Sequence, residues 1–355
     1  MSKKSYKIGV SAPLSGCETE HGKRVVRSVE LAVDEANQTD LPFSFDLLVG
    51  DDKGDTEVGK NVAKEFIADP LVLGVVGPLN SNPSIGAAPL YDKAGLVNLT
   101  NAASNVVLSQ RGYKTFFRMI ANDDVQADAL MDFMKQYLKM SKITIINDDT
   151  DFSSGLAEIV LEKASNSDLK VINHLQVKCG QEDYSSELSS LDLNSPEVIF
   201  FAILEPEGKL ITRQLRELGN KSIFLGTDAL KPSKFLCTPG YDIPGPYHSC
   251  ATTDITREQS AAGFAQAYES KYGEKYSIYT AEAYDAAKLI IKAISQSKQP
   301  SRKSVLNEIR QTKDYQGASG KITFINSGEL ADPKISFYYY KDGQLQFLGF
   351  SEQFK

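Results

Sequence analysis

From Tyr6 onward this chain alternates short apolar, β-branched runs with segments of helical period, and that alternation restricts the folds open to it more than any other feature. Tyr6 to Ala12 reads as a buried strand. Arg24 to Asn37 places Val25, Val26, Val29, Val33 and Ala36 on one helical face. A strand at Phe45 to Val49, a helix at Thr56 to Ala68, a strand at Leu71 to Gly77, a helix at Ile85 to Lys93 and a strand at Leu96 to Thr100 follow in turn. The run LVLGVVG is apolar throughout, as strands buried on both faces are. Repeated βαβ of this kind predicts a parallel sheet covered by helices on both faces.

The rhythm restarts after Phe116 to Ile120. A helix is expected at Val125 to Leu138, and strands at Ile143 to Ile146, Val171 to Val177, Val198 to Ala202 and Ile223 to Leu225. Helices near Gly155 to Ala164 and Glu207 to Leu218 lie between them, giving a second doubly wound unit. Then the pattern breaks. Thr256 to Tyr272, Thr280 to Ser295 and Arg302 to Gln311 read as consecutive helices, and Lys321 to Gly349 as a β-like tail with a hairpin turn at Lys341-Asp342-Gly343. The economical solution returns the late helices to the first unit. The expected fold is therefore α/β, with two doubly wound parallel-sheet lobes joined by a multi-crossing hinge. Lobe 1 comprises 1–121 plus 251–326 and lobe 2 comprises 122–250 plus 327–355, with a ligand cleft between lobes.

Size and charge agree with such a plan. At 355 residues the chain exceeds one ordinary domain. Its 41% hydrophobic and 24% charged residues are ordinary for a globular protein, and a net charge of -7 argues against a nucleic-acid partner. No apolar run approaches the roughly 20 residues of a membrane helix. Nor does a signal-peptide core follow Met1-Ser2-Lys3-Lys4, which leaves a cytoplasmic protein or a mature domain without its export signal.

Chemical motifs are few. Gly16-Cys17-Glu18-Thr19-Glu20-His21-Gly22-Lys23-Arg24 is one residue too long for a phosphate loop and carries two glutamates where phosphate would sit. No dinucleotide fingerprint follows the first strand, so no cofactor is expected. The acidic runs at 50–55 and 148–151 lack calcium-loop spacing and read as solvated turns and helix caps, so no metal is expected either. His21, His174 and His248 are scattered and accompany no catalytic motif, and His174 sits in a strand pattern with a structural role. An enzyme is accordingly not expected. Of the four cysteines, Cys17, Cys179, Cys237 and Cys250, none forms a C-x-x-C pair. Cys237 and Cys250 flank TPGYDIPGPYHS and can meet as a disulfide; the alternative is four separate thiols.

The polar segments at strand ends carry more information, because ligands of open α/β sheets bind outside the carboxyl ends of the strands. These are Gly77-Pro78-Leu79-Asn80-Ser81 and Asn101-Ala102-Ala103-Ser104 from the first unit, and Asp149-Thr150-Asp151-Phe152 and Gly226-Thr227-Asp228 from the second.

At these residues the chain resembles the leucine/isoleucine/valine-binding proteins of bacterial ABC importers, the type I periplasmic-binding fold. The likeness includes KIGV at 7–10, PLSG at 13–16, GVVGPLNS at 74–81, AAS at 102–104, LSQRGY at 108–113, FRMIANDD at 117–124, FLGTDAL at 224–230, AYDA at 283–286 and YQGASGKITF at 315–324. The resemblance implies that Ser81 and Ser104 bind a ligand α-carboxylate, that the Ala102 backbone faces an α-ammonium, and that Asp228 pairs with that ammonium. Ser104 stands where the family has Thr, and Asp228 where the branched-chain binders have Glu. It further implies that Phe152 covers the ligand and that Leu79, His21, Leu204 and Tyr279 line the pocket. His21 stands at an aromatic position, Leu204-Glu205 replaces an aromatic pair, and Asn80 stands at a family cysteine. The function implied is a solute-binding component of an ABC importer, capturing a small amino acid or amino-acid-like ligand by lobe closure. A sensing domain of a signalling or regulatory protein is the alternative. The implied partners are that ligand and, transiently, a membrane permease. The implied state is a monomer in the periplasm or at the cell surface.

Overall fold

In the computed structural model the described residues are 3–16, 18–191, 197–230, 246–341 and 344–355, and they form two compact units. The first is Met1–Ala121 with Thr252–Pro333; the second is Asn122–Ala251 with Lys334–Lys355.

The first unit is built on five parallel strands: β1 (Lys4–Ala12), β2 (Phe43–Asp51), β3 (Val72–Val76), β4 (Val97–Thr100) and β5 (Phe116–Arg118), in the order β2-β1-β3-β4-β5. Helices α1 (Thr19–Asn37), α2 (Thr56–Ala68), α3 (Ser81–Ala94) and α4 (Val107–Gln110) connect them. On one face Ile8, Val10, Val76, Val97 and Leu99 pack against Val25, Val29 and Val33 of α1. On the other, Val72 and Val75 pack against Val62, Phe66, Ala87 and Tyr91 of α2 and α3.

The second unit holds a seven-stranded sheet. Its strands are β6 (Lys142–Asp148), β7 (Lys170–Val177), β8 (Val198–Ala202), β9 (Ile223–Gly226), β10 (Tyr247–Cys250), β13 (Ser336–Lys341) and β14 (Gln344–Phe350), ordered β14-β13-β10-β9-β8-β6-β7. Five strands are parallel; the tail hairpin adds β13 and β14 antiparallel, so this sheet is mixed rather than wholly parallel. Lys341 pairs with Gln344, and the expected turn residues Asp342 and Gly343 lie outside the described residues. Helices α5 (Asp123–Asp132), α6 (Asp151–Ser165), α7 (Ser185–Ser189) and α8 (Glu205–Glu217) complete this unit. The helix expected to run to Leu138 changes to a π-type turn at Phe133–Tyr137. There Phe133 stacks on Phe337 at 4.2 Å and meets Phe354 edge-on.

The late helices belong to the first unit: α9 (Ala261–Tyr272), α10 (Thr280–Gln296) and α11 (Arg302–Arg310), followed by the ribbon β11 (Tyr315–Gly317) and β12 (Gly320–Ile322). Ala283, Ala286, Ile290 and Ile294 of α10 enter the same core as β1 and α1. The helix expected from Thr256 starts only at Ala261, because Asp254 caps a separate short turn at Ile255–Arg257. The final passage to the second unit falls after Pro333 rather than 326: Gly328 accepts from the Arg118 amide at 2.9 Å and Glu329 pairs with its side chain, which ties this segment to β5.

Candidate functional site

In the first unit the candidate residues sit on loops leaving β3 and β4. At the end of β3, Gly77 has φ +101°, and a Cβ there would lie 2.2 Å from the Ser11 carbonyl oxygen. Only glycine lets the two strand ends come this close. The next peptide, Gly77-Pro78, is cis. The Thr100 hydroxyl donates to the Pro78 carbonyl at 2.8 Å and accepts from the Ala103 amide at 2.9 Å, so one side chain holds both loops. Ser81, the first residue of α3, accepts at Oγ from the Asn105 amide at 3.4 Å.

Ser104 lies between two carbonyls held by one cation. Arg118, fully buried on β5, donates from Nη1 to Ala103 O at 2.5 Å and from Nη2 to Asn105 O at 3.0 Å. Ser81 and Ser104 are themselves almost wholly buried. Leu79 is part of the apolar core, with half-buried Ala102 and Tyr279 packed against the same cluster. Tyr279 precedes α10 with φ +67°, and its carbonyl accepts from Asn101 Nδ2 at 3.3 Å. Thus the fold gathers Leu79, Ser81, Ala102, Ser104 and Tyr279 into one connected region. His21 lies in the first turn of α1, and its buried Nδ1 has no hydrogen-bond partner among the described residues. The glycine after it belongs to the helix, where a Cβ would meet the Pro13 carbonyl oxygen at 1.9 Å. Backbone packing thus explains a glycine that superficially suggests a phosphate loop.

The acidic loop beside these strands departs from its expected solvated state. Asp55 does cap α2, accepting from the Glu57 and Val58 amides. Asp52, however, is fully buried and accepts from Ser11 Oγ at 2.7 Å and Gly54 N at 3.0 Å. Burial is the main cause that pushes its carboxyl up to about 6, and the charge of Asp51 adds to it.

The second unit presents two groups of candidate residues. Asp228 follows β9 and opens a 3₁₀ turn. Its Oδ1 accepts from Gln126 Nε2 at 2.8 Å and from the Ala251 amide at 3.4 Å. Asp228 is 8% exposed, a buried carboxylate. The other group centres on buried Asp148. Its Oδ1 accepts from the Thr150 amide and hydroxyl at 2.9 and 2.6 Å, and its Oδ2 from the Leu204 amide at 3.3 Å. Thr150 caps α6, whose second residue is half-buried Phe152, while Leu204 and Glu205 open α8. Asp148 thereby joins the Phe152 and Leu204 loops. Asp228 meets α8 differently, through Leu230 packed on Gly208 and Ile203.

Asp148, Cys179 and Glu207 offer donor atoms within 4.8 Å of one another. They suit a cation poorly. Asp148 already accepts three protein donors. Burial, with Asp148 and Glu207 nearby, pushes the Cys179 thiol up, whereas a metal ligand must be a thiolate. His174, exposed on β7, meets Asn147 Oδ1 through Nε2 at 2.7 Å. Cys250 is buried on β10, while Cys17 and Cys237 lie outside the described residues, and with them the possible bridge.

Sequence reasoning missed Arg118, Glu329, Thr100 and Gln126. The available signal was an arginine within the otherwise apolar FFRMI and a glutamine in the mostly apolar VQADALM.

The sequence model of the periplasmic binding protein family matches residues 5–344. The Leu/Ile/Val-binding protein homolog 3 of Brucella melitensis is 25% identical over 341 residues, covering 95% of this chain and 92% of the relative. Among solved structures, the leucine binding protein LivK of Thermotoga maritima superposes with a TM-score of 0.88 at 25% identity, over 97% of this chain and 98% of that one. The branched-chain amino acid transporter substrate binding protein LivJ of Streptococcus pneumoniae, in complex with isoleucine, gives 0.86 at 21% identity over 97% and 99%, a likeness of fold. The chain belongs to the periplasmic binding protein family. That family is one of ligand-binding receptors, and among its members this chain is similar to the leucine/isoleucine/valine binders. No helix among the described residues is long and apolar enough to cross a membrane.

Proposed function

We propose that this chain is the substrate-binding component of an ABC importer, working in the periplasm or at the cell surface, and that it binds a small amino acid or amino-acid-like ligand without altering it. The first unit supplies hydroxyl and amide donors for a carboxylate around Ser81, Ala102 and Ser104. The second supplies Asp228 for an ammonium. Phe152, Leu79, His21, Leu204 and Tyr279 attend to the rest of the ligand. The observation that carries this reading is the environment of Asp228, a buried carboxylate after β9 whose Oδ1 is oriented by Gln126 Nε2 and the Ala251 amide. An ammonium is met by acceptors such as a carboxylate, and a carboxylate by donors such as hydroxyls and amides. The names of the relatives agree with it, one being a leucine binding protein and the other a homolog of Leu/Ile/Val-binding proteins.

The test is a thermal-shift screen of amino acids, small amides and related acids, in which a ligand at 100 times its dissociation constant adds about 2.7 kcal/mol. Calorimetric titration of Asp228→Asn with the best ligand follows. A loss of roughly 2–3 kcal/mol is expected, the scale of a charged hydrogen bond. Wild-type affinity in this variant overturns the assignment of Asp228.

A further inference from the structure

The buried face of α5 is mostly apolar, with Ala127, Leu130 and Met131 inside, and Gln126 interrupts it at 1% exposure. Burying an amide is costly unless its hydrogen bonds are made. Gln126 makes them from one atom: Nε2 donates to Asp228 Oδ1 at 2.8 Å and to Ser249 Oγ at 3.0 Å. Chemistry fixes which end of the amide faces the acid. An ionised carboxylate only accepts, so the amide oxygen in that place would set two acceptors against each other. Two donated bonds hold the amide between α5, the turn after β9 and strand β10. The carboxylate is held with it.

We propose that Gln126 is a positioning residue for ligand recognition: it fixes the orientation in which Asp228 meets the ligand ammonium. The inference rests on the reading of Asp228 given above. A purely structural glutamine, tying α5 to β10, would have the same contacts. The two roles differ in their coupling to Asp228. A residue that acts through Asp228 has no effect on binding once the Asp228 charge is removed, whereas a structural residue weakens binding to the same degree in either background.

The experiment uses the full chain in four forms: wild type, Gln126→Met, Asp228→Asn and the double variant. The twenty protein L-amino acids are screened singly by thermal shift, and the one giving the largest shift is titrated by calorimetry. Gln126→Met is expected to weaken binding about 10-fold and Asp228→Asn about 30- to 150-fold, on the scale of hydrogen bonds to charged groups. The double variant is expected to bind as Asp228→Asn does. Additive losses, or wild-type affinity in Gln126→Met beside a weakened Asp228→Asn, overturn the positioning role alone. Wild-type affinity in Asp228→Asn, or no shift with any amino acid, removes the underlying reading and this inference with it. If circular dichroism shows Gln126→Met unfolded, Ser249→Ala takes its place in the cycle. It removes the second anchor of the amide, with an expected loss of about 3-fold and the same absence of additivity.

Discussion

Arg118 and Glu329 form a two-point ion pair inside the first unit, Nε to Oε2 at 3.0 Å and Nη2 to Oε1 at 3.1 Å, across 211 residues of chain. The arginine is fully buried, and its remaining donors hold the carbonyls on either side of Ser104. The pair therefore links the end of the late segment to the loop that carries a candidate ligand contact. Removing one partner strands a buried charge. Glu329→Ala is expected to lower unfolding free energy by about 3–5 kcal/mol. Urea denaturation followed by fluorescence measures it, and a loss below about 1 kcal/mol, the level of a surface pair, contradicts the interior role.

Asp52 makes stability depend on pH in a known direction. Its folded carboxyl is pushed up to about 6, while an unfolded aspartate titrates near 3.9. Between these values the native state holds the proton more tightly, so stability falls as pH rises from about 4 to 6 and then levels off. The full effect is about 3 kcal/mol. Asp52→Asn removes this dependence, and its urea midpoint relative to wild type is expected to rise between pH 4.5 and pH 7.5. A difference that does not change with pH contradicts the expectation.

Two glycines of positive φ separate strain from collision. Gly77→Ala meets the Ser11 carbonyl oxygen and is expected to cost roughly 3 kcal/mol or more. Gly95, with φ +63°, ends α3 with nothing within 4 Å of an added Cβ, so Gly95→Ala is expected to cost only about 1 kcal/mol. Equal melting temperatures for the two variants would contradict this contrast.

Specificity follows from the polar residues assigned to the ligand side chain. His21, proposed to line the ligand side-chain pocket, has a buried Nδ1 with no hydrogen-bond partner among the described residues, and such a group set against leucine costs affinity. A small polar amino acid is expected to displace leucine in competition binding. A ranking headed by leucine, isoleucine and valine would contradict this.

Ser104→Ala is expected to cost about 1 kcal/mol of binding, less than Asp228→Asn, because backbone donors remain beside it. Calorimetry of the two variants with one ligand gives the comparison. A larger loss for Ser104→Ala would reverse the assigned weights.

Period and composition alone determined the parallel strands β1 to β4 and β6 to β9, the helices between them apart from the short α7, and the glycine- and hydroxyl-bearing loops at the strand ends. These are local properties, since a buried face must repeat every 2 or 3.6 residues and a turn must hold residues that tolerate it. The sequence also carried enough ordered motifs to indicate the family. Tertiary structure decided the rest. Tyr247–Cys250, which reads as the end of a proline- and glycine-rich loop, becomes an inner strand because β9 and β13 lie on either side to receive it. Asp52, apparently one carboxylate of a solvated loop, is buried beneath Ser11. Gln126 finds Asp228 at a separation of 102 residues, and Arg118 finds Glu329 at 211. No periodicity encodes such partners. A buried polar group must be paired, but where its partner lies in the chain is set by the path of the backbone through the fold.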